Sequence, residues 1–255
     1  MSSVTIRFYE ELNDFLAPGL RKATFTVAFA DGATVKAVVE DQGVPHTEVD
    51  LLLVNGRSVP FSCVLHDGDF VSVYPVFESF DISGLTRVRA APLRDTRFAL
   101  DVHLGKLARL LRMLGFDAAW SRSMEDGDLV RLARRENRII LTRDRGLLKR
   151  RLVTHGYLVR RSDPRQQLAE VIHRFDLSAR ARLFSRCMRC NTLLVPRDRK
   201  DVQGLVPSVV AKAYESFSRC DECGRVFWKG SHWERMKKLA GEVLDGTPPA
   251  AGRPA

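Results

Sequence analysis

The sequence predicts a multidomain chain of mixed α+β and α/β class. A small mixed unit comes first, then a central parallel sheet with flanking helices, then a C-terminal unit organised by zinc. Three observations carry that expectation. Residues 1–80 run strand, strand, helix, strand and strand, with turn signals between them. From Phe98 the pattern changes to alternating strands and helices, as in a parallel sheet covered by helices. Four of the five cysteines come as two Cys-x2-Cys pairs. At 255 residues the chain is long enough for two or three cores.

In the first unit, residues 4–9 and 23–29 read as strands around a turn at Pro18-Gly19. Ala33 to Asp41 reads as a short helix, with Asp31 or Gly32 near its cap. Leu51 to Val54 is a strand that runs into Asn55-Gly56, a strong hairpin-turn signal. Asp67-Gly68-Asp69 precedes a last strand, Phe70 to Val76. This order and its turns resemble the ubiquitin-like β-grasp domains of small sulfur carriers, over residues 3–77. Those carriers end in a free Gly-Gly that is activated as a thiocarboxylate. Here the matching place reads Tyr74-Pro-Val-Phe-Glu-Ser and the chain continues, which sets sulfur transfer aside. With that chemistry set aside, the domain reads as a binding or scaffolding module, and a protein partner for it is a possibility.

Residues 81–96 lack a period and read as a linker. The central domain is expected over 97–180. It begins with strand 98–102 and helix 104–114, which Gly115 stops. Strand 117–120, helix 128–136, strand 138–142, a helical stretch 146–151 and strand 157–160 follow. Asp163-Pro164 opens a helix to Phe175, with Leu168, Val171, Ile172 and Phe175 on one face. Residues 181–235 form the cysteine unit, and residues 236–255 a tail whose Pro/Ala/Gly-rich end is expected to be disordered.

Asp101 and Asp144 follow apolar strand segments, and Asp128 stands at the mouth of a helix. In an open parallel sheet, groups at the carboxyl ends of strands gather in one crevice. Carboxylates crowded there repel each other, by roughly 4 kcal/mol per pair at 4 Å and an effective dielectric near 20. A divalent cation relieves that repulsion, and Mg²⁺ and Mn²⁺ suit carboxylate oxygens. The trio is the expected catalytic set. Asp126 and Asp163 are possible further acidic members. Helix capping is the competing reading for Asp128 and, through Asp-Pro, for Asp163. His103 is open to ligation, proton transfer or a structural role.

Charge is unevenly distributed. Residues 1–80 hold 5 Lys+Arg against 11 Asp+Glu, a net of −6, and residues 81–255 hold 36 against 20, a net of +16. A basic body points to a polyanion. Lys106, Arg109 and Arg112 recur every three residues along a helix whose core stripe is Leu104, Leu107, Leu111 and Leu114. They and the pair Arg143 and Arg145 are the expected phosphate contacts. Cys187, Cys190, Cys220 and Cys223 read as two knuckles that close one structural zinc site. The 29 residues between the pairs exceed the usual ribbon spacing, so an excursion over Pro196 to Phe217 is expected. Phe227 and Trp228 are candidates for the small ribbon core, and Trp233 and Lys229 could instead meet RNA.

The segments LDVHLGKLARLLRMLGFD, D-L-V-R-L-A and IILTRDRGLL resemble the Mut7-C RNase domain, a branch of the PIN-like nucleases. The resemblance extends to Trp233 and includes the preceding ubiquitin-like domain. It implies a PIN-like parallel sheet, a C-terminal zinc ribbon, and Mg²⁺ or Mn²⁺ held by Asp101, Asp128 and Asp144. The chain departs from the family's usual pattern at His103. The expected activity is metal-dependent RNA hydrolysis. A non-catalytic RNA-binding adaptor, recruiting a partner through the β-grasp domain, is the rival. The N-terminus has no signal-peptide pattern and no run approaches 18 apolar residues, so a cytoplasmic location without membrane contact is expected. The oligomeric state is not legible.

Overall fold

The computed structural model describes residues 2–75, 87–88 and 96–246. Most of the expected linker and the end of the tail, residues 247–255, lie outside the described residues. The chain divides into two compact units, Met1–Asp95 with Val130–Leu158 and Thr96–Leu129 with Val159–Ala255. No helix among the described residues is long and apolar enough to cross a membrane.

The N-terminal elements are β1 (Ser2–Phe8), β2 (Thr24–Phe29), α1 (Val35–Asp41), β3 (Val49–Val54), β4 (Arg57–Ser58) and β5 (Phe70–Pro75). They form a five-stranded mixed sheet in the order β2-β1-β5-β3-β4. The first and last strands lie parallel at its centre, with Thr5 opposite Phe70. Alternation explains the register: Val4, Ile6 and Phe8 are buried on one face. Asn55 and Gly56 both take positive φ (50° and 78°) and close the β3–β4 hairpin, as their sequence demands.

Two details differ from expectation. The helix cap is Thr34, whose hydroxyl accepts from the Ala37 N–H at 3.4 Å, because Gly32 is used for a left-handed turn two residues earlier. The β1–β2 connection is not one Pro-Gly turn but two 3-10 turns, Glu10–Phe15 and Pro18–Leu20. Asn13 holds them: its amide donates to the carbonyls of Phe8 and Glu10, and its oxygen accepts from the Lys22 N–H.

The central elements are β6 (Arg97–Leu100), α2 (Gly105–Met113), β7 (Asp117–Ala119), α3 (Asp126–Glu136), β8 (Ile139–Thr142), α4 (Arg145–Leu148), β9 (Gly156–Leu158) and α5 (Pro164–Arg174). β6 pairs with β7, and β8 with β9, both in parallel within the central sheet. β8 is buried along its whole length, as a parallel strand covered on both faces must be. The leucine stripe Leu104, Leu107, Leu111 and Leu114 is buried as the 3.6-residue period predicts. So are Leu168, Val171 and Ile172 of α5, while Phe175 is half-buried and set edge-on to Phe98 at 5.5 Å.

The cysteine unit holds β10 (Val195–Asp198), α6 (Ser208–Ala213), β11 (Ser216–Arg219), β12 (Val226–Trp228) and α7 (Ser231–Leu244). β10, β11 and β12 form an antiparallel three-stranded sheet in that order. The expected excursion is present between β10 and β11, as a 3-10 turn over Arg199–Val202 and then α6. The buried aromatic is Phe217. Phe227 and Trp228 are only half-buried.

Gly115 ends α2 with φ +92°, and a Cβ there would lie 2.2 Å from the Arg182 carbonyl oxygen. Gly115→Ala is expected to cost about 2–5 kcal/mol through left-handed strain plus overpacking. Gly19→Ala, with nothing within 4 Å of its Cβ, should be neutral to within about 0.5 kcal/mol. Denaturant melts of the two variants check this.

Candidate functional site

Asp101 follows β6 and is 8 % exposed. Its carbonyl accepts from the Leu104 N–H at 2.9 Å and starts a 3-10 turn, Val102–Leu104, which its carboxylate does not cap. α2 follows directly. Gly105 is required there, because a Cβ would lie 2.5 Å from the Trp120 ring. That indole is fixed by donation to the Val102 carbonyl at 3.1 Å. The backbone beside Asp101 is thus tightly packed.

Asp128 is exposed within the first turn of α3 rather than at its mouth, since the helix begins two residues earlier at Asp126. Both carboxylates lie where the helix dipole favours negative charge. Asp144 is exposed and caps α4, with Oδ1 accepting from the Gly146 N–H at 2.7 Å. Its own N–H donates to Oγ1 of buried Thr142 at 2.9 Å. Asp163 caps α5, where Oδ1 accepts from the N–H groups of Arg165 and Gln166 at 2.9 and 3.2 Å. His103 is exposed.

Lys106 and Arg109 are exposed on α2, but Arg112 is 2 % exposed and is not a phosphate contact. The reason is geometric. Three residues fall short of a helical turn, so two such steps rotate a side chain by about 120°, from solvent to the protein interior. Arg112 Nε donates to the Ala118 carbonyl of β7 at 2.8 Å. Its Nη1 donates to the carbonyls of Met188 and Arg189, in the first knuckle, at 3.2 and 2.7 Å. Burial pulls Arg112 below its usual pKa, while Cys187, Cys190 and Asp117 oppose that shift. Arg143 and Arg145 are exposed, and the Arg145 guanidinium carbon lies 5.2 Å from the centroid of the Phe15 ring.

The four thiols are brought together. One Sγ from each of Cys187, Cys190, Cys220 and Cys223 lies within 4.8 Å of all the others. The Cys187–Cys223 separation is 3.7 Å. Tetrahedral zinc with bonds of 2.3 Å needs sulfurs about 3.8 Å apart, so the quartet fits that ion. Burial and the neighbouring thiols push Cys190 up to about 12. Burial acts the same way on Cys223, but the Arg225 N–H and the other thiols outweigh it and bring Cys223 down to about 7. Four thiolates this close need a cation to stay ionised together.

The first knuckle is stitched to the end of α2 and to β7. Asn191, at φ +71°, accepts from the Ala118 N–H at 3.0 Å and donates to Asp117 Oδ1 at 2.7 Å. Arg186 donates to the carbonyls of Gly115 and Asn191 at 3.2 and 2.8 Å. The N–H groups of Arg182 and Phe184 donate to the carbonyls of Leu114 and Met113. Residue spacing did not reveal this seam. Its one local signal was Asn directly after the second cysteine, a residue that tolerates left-handed backbone.

A profile of the Mut7-C RNAse domain matches residues 96–240, more than half of the chain. The chain belongs to the Mut7-C RNase family. The Mut7-C ubiquitin domain matches residues 1–81, so the N-terminal sheet is the ubiquitin-like module found with it. Searches among curated proteins and solved structures returned no match.

Replacing Arg112 tests the seam. Arg112→Leu leaves one buried and two part-buried carbonyls without this donor and should cost about 3–5 kcal/mol. Arg112→Lys should recover little, because an ammonium cannot span the fork. Equilibrium unfolding gives the cost, and zinc release to a chromophoric chelator should be faster in both variants.

Proposed function

We propose that this Mut7-C protein is a metal-dependent ribonuclease that hydrolyses RNA phosphodiester bonds. The observation that carries the reading is the match of residues 96–240 to the RNase domain, over a segment where three acidic positions sit inside a strongly basic region. Asp101, Asp128 and Asp144 are the proposed ligands of Mg²⁺ or Mn²⁺. Such an ion would supply an activated water and charge stabilisation at the phosphate. Asp126 is a neighbouring carboxylate that could join them. Asp163 is a weaker further candidate, since two backbone amides share its Oδ1.

The residues of the chain have distinct tasks in this reading. Lys106, Arg109, Arg143 and Arg145 neutralise the RNA backbone from exposed positions. Asp101 stands on a strand end whose following turn is packed by Trp120, which limits its freedom. Asp144 is oriented because the Gly146 amide holds one oxygen while the carboxylate stays exposed. The cysteine quartet offers four ligands and no open position, so its zinc is structural. A cytoplasmic location and a protein partner for the ubiquitin-like domain complete the proposal.

Labelled RNA and DNA incubated with Mg²⁺ or Mn²⁺ test it. RNA cleavage is expected, and Asp101→Asn and Asp144→Asn should each reduce it on the order of 100-fold or more. RNA binding without metal-dependent cleavage favours the adaptor instead. Lys106→Ala and Arg109→Ala should weaken RNA binding and lower the salt slope by about one each, measured by titration at several salt concentrations.

A further inference from the structure

The compact unit that joins Met1–Asp95 with Val130–Leu158 contains a set of polar contacts that the ribonuclease reading does not use. They link α1 and the 3-10 turn His46–Glu48 to the α4–β9 segment. Glu48 is 1 % exposed, and its Oε1 accepts from the Leu158 N–H at 2.6 Å. His46 is 7 % exposed, and its ring meets the edge of Phe61. Its Nε2 lies 2.7 Å from the Val153 carbonyl oxygen, which can only accept, so Nε2 carries the hydrogen. Its Nδ1 lies 2.7 Å from Glu40 Oε1. Lys149 Nζ donates to the Glu40 carbonyl at 2.6 Å, and Phe15 lies under Arg145.

These contacts converge on the segment that holds Asp144. Lys149 and Arg145 stand at the two ends of α4, whose N-cap is Asp144. Leu158 lies opposite Thr142 in the β8–β9 register, and Thr142 accepts the Asp144 N–H. Burying a carboxylate and an imidazole is unfavourable unless their polar atoms are used. Here Glu48 Oε1 takes up the Leu158 N–H of β9, and the two His46 ring nitrogens take up the Val153 carbonyl and Glu40, which marks a built contact.

We propose that the ubiquitin-like domain is an internal brace of the candidate site. Glu48, His46 and Lys149 act as positioning residues that hold the α4–β9 segment, and through it Asp144 and Arg145. Residues 40–48 are then occupied within the chain, and a separate protein partner would have to use another face. The proposal rests on the ribonuclease reading only for the activity that the brace serves.

The experiment uses the full chain as wild type, Glu48→Ala, Glu48→Gln and Lys149→Met. It reads amide exchange over residues 143–158 together with kcat and KM for RNA cleavage. Glu48→Ala and Lys149→Met should raise exchange in that segment about 10-fold. They should lower kcat on the order of 10-fold or more, with a smaller change in KM. Glu48→Gln, which keeps an acceptor for the Leu158 N–H, should restore both. Exchange unchanged in both disruptive variants overturns the brace. So does exchange that rises equally over β1, β5 and residues 143–158, since that reports general destabilisation. If wild type cleaves no RNA under any metal, the ribonuclease reading fails, and the exchange pattern alone decides the brace.

Discussion

A single helix has to satisfy three surroundings at once, and the central domain is arranged around that constraint. α2 presents leucines to the core, Lys106 and Arg109 to solvent, and Arg112 to the first cysteine knuckle. At 3.6 residues per turn no side chain can be moved between these faces without moving the helix. Arg112 is the costliest occupant. A buried guanidinium loses its water, and burial lowers its pKa. Its fork meets three carbonyls, one on β7 and two in the knuckle, which offsets part of that cost. The edge strand β7 is thereby closed by the cysteine unit, with Asn191 supplying a further pair of hydrogen bonds. An open sheet edge would otherwise offer unpaired backbone.

The carboxylates show why capping and ligation are not rival uses of one residue. A carboxylate has two oxygens and about four acceptor directions. At Asp144 a single amide occupies Oδ1, which fixes the orientation of the group while leaving it exposed. At Asp163 two amides occupy Oδ1, and Pro164 completes a simple helix start. The two aspartates look alike in sequence, each before a helix, and differ in how many amides share the capping oxygen. Preorientation of this kind by neighbouring hydrogen bonds is what a metal ligand requires.

Features legible in the sequence were those whose cause is local. The leucine stripe, the buried run of β8, the Asn-Gly hairpin and the paired cysteines each follow from a period or a short spacing. The fold class and the cysteine quartet could therefore be read directly. The errors at helix starts, Thr34 in place of Asp31 or Gly32 and Asp126 in place of Asp128, arise because several capping residues stand in a row. The position of Arg112 was hidden for another reason. Its knuckle partners are 76 and 77 residues away, and nothing in a helical pattern distinguishes a solvated arginine from one that meets distant carbonyls. The partners of His46 and Glu48, 107 and 110 residues away, were invisible on the same ground.

The ubiquitin-like domain departs from the sulfur-carrier pattern at the end of its last strand. In sulfur carriers the strand matching β5 leads to a free Gly-Gly end. Here β5 ends at Pro75, which lies opposite Val49 in the sheet. Tyr74 beside it stacks on Tyr9 with centroids 4.2 Å apart, and Arg7 lies over the Tyr9 ring. Burial, followed by the contact with Tyr9, pushes the Tyr74 phenol above its usual pKa. Tyr74 near the strand end is thus packed against side chains. Among the described residues of the domain, the buried ionisable groups are Glu48 and His46, and both meet backbone beyond residue 150. The burial of these two groups, more than the fold itself, argues that the domain acts on its own chain.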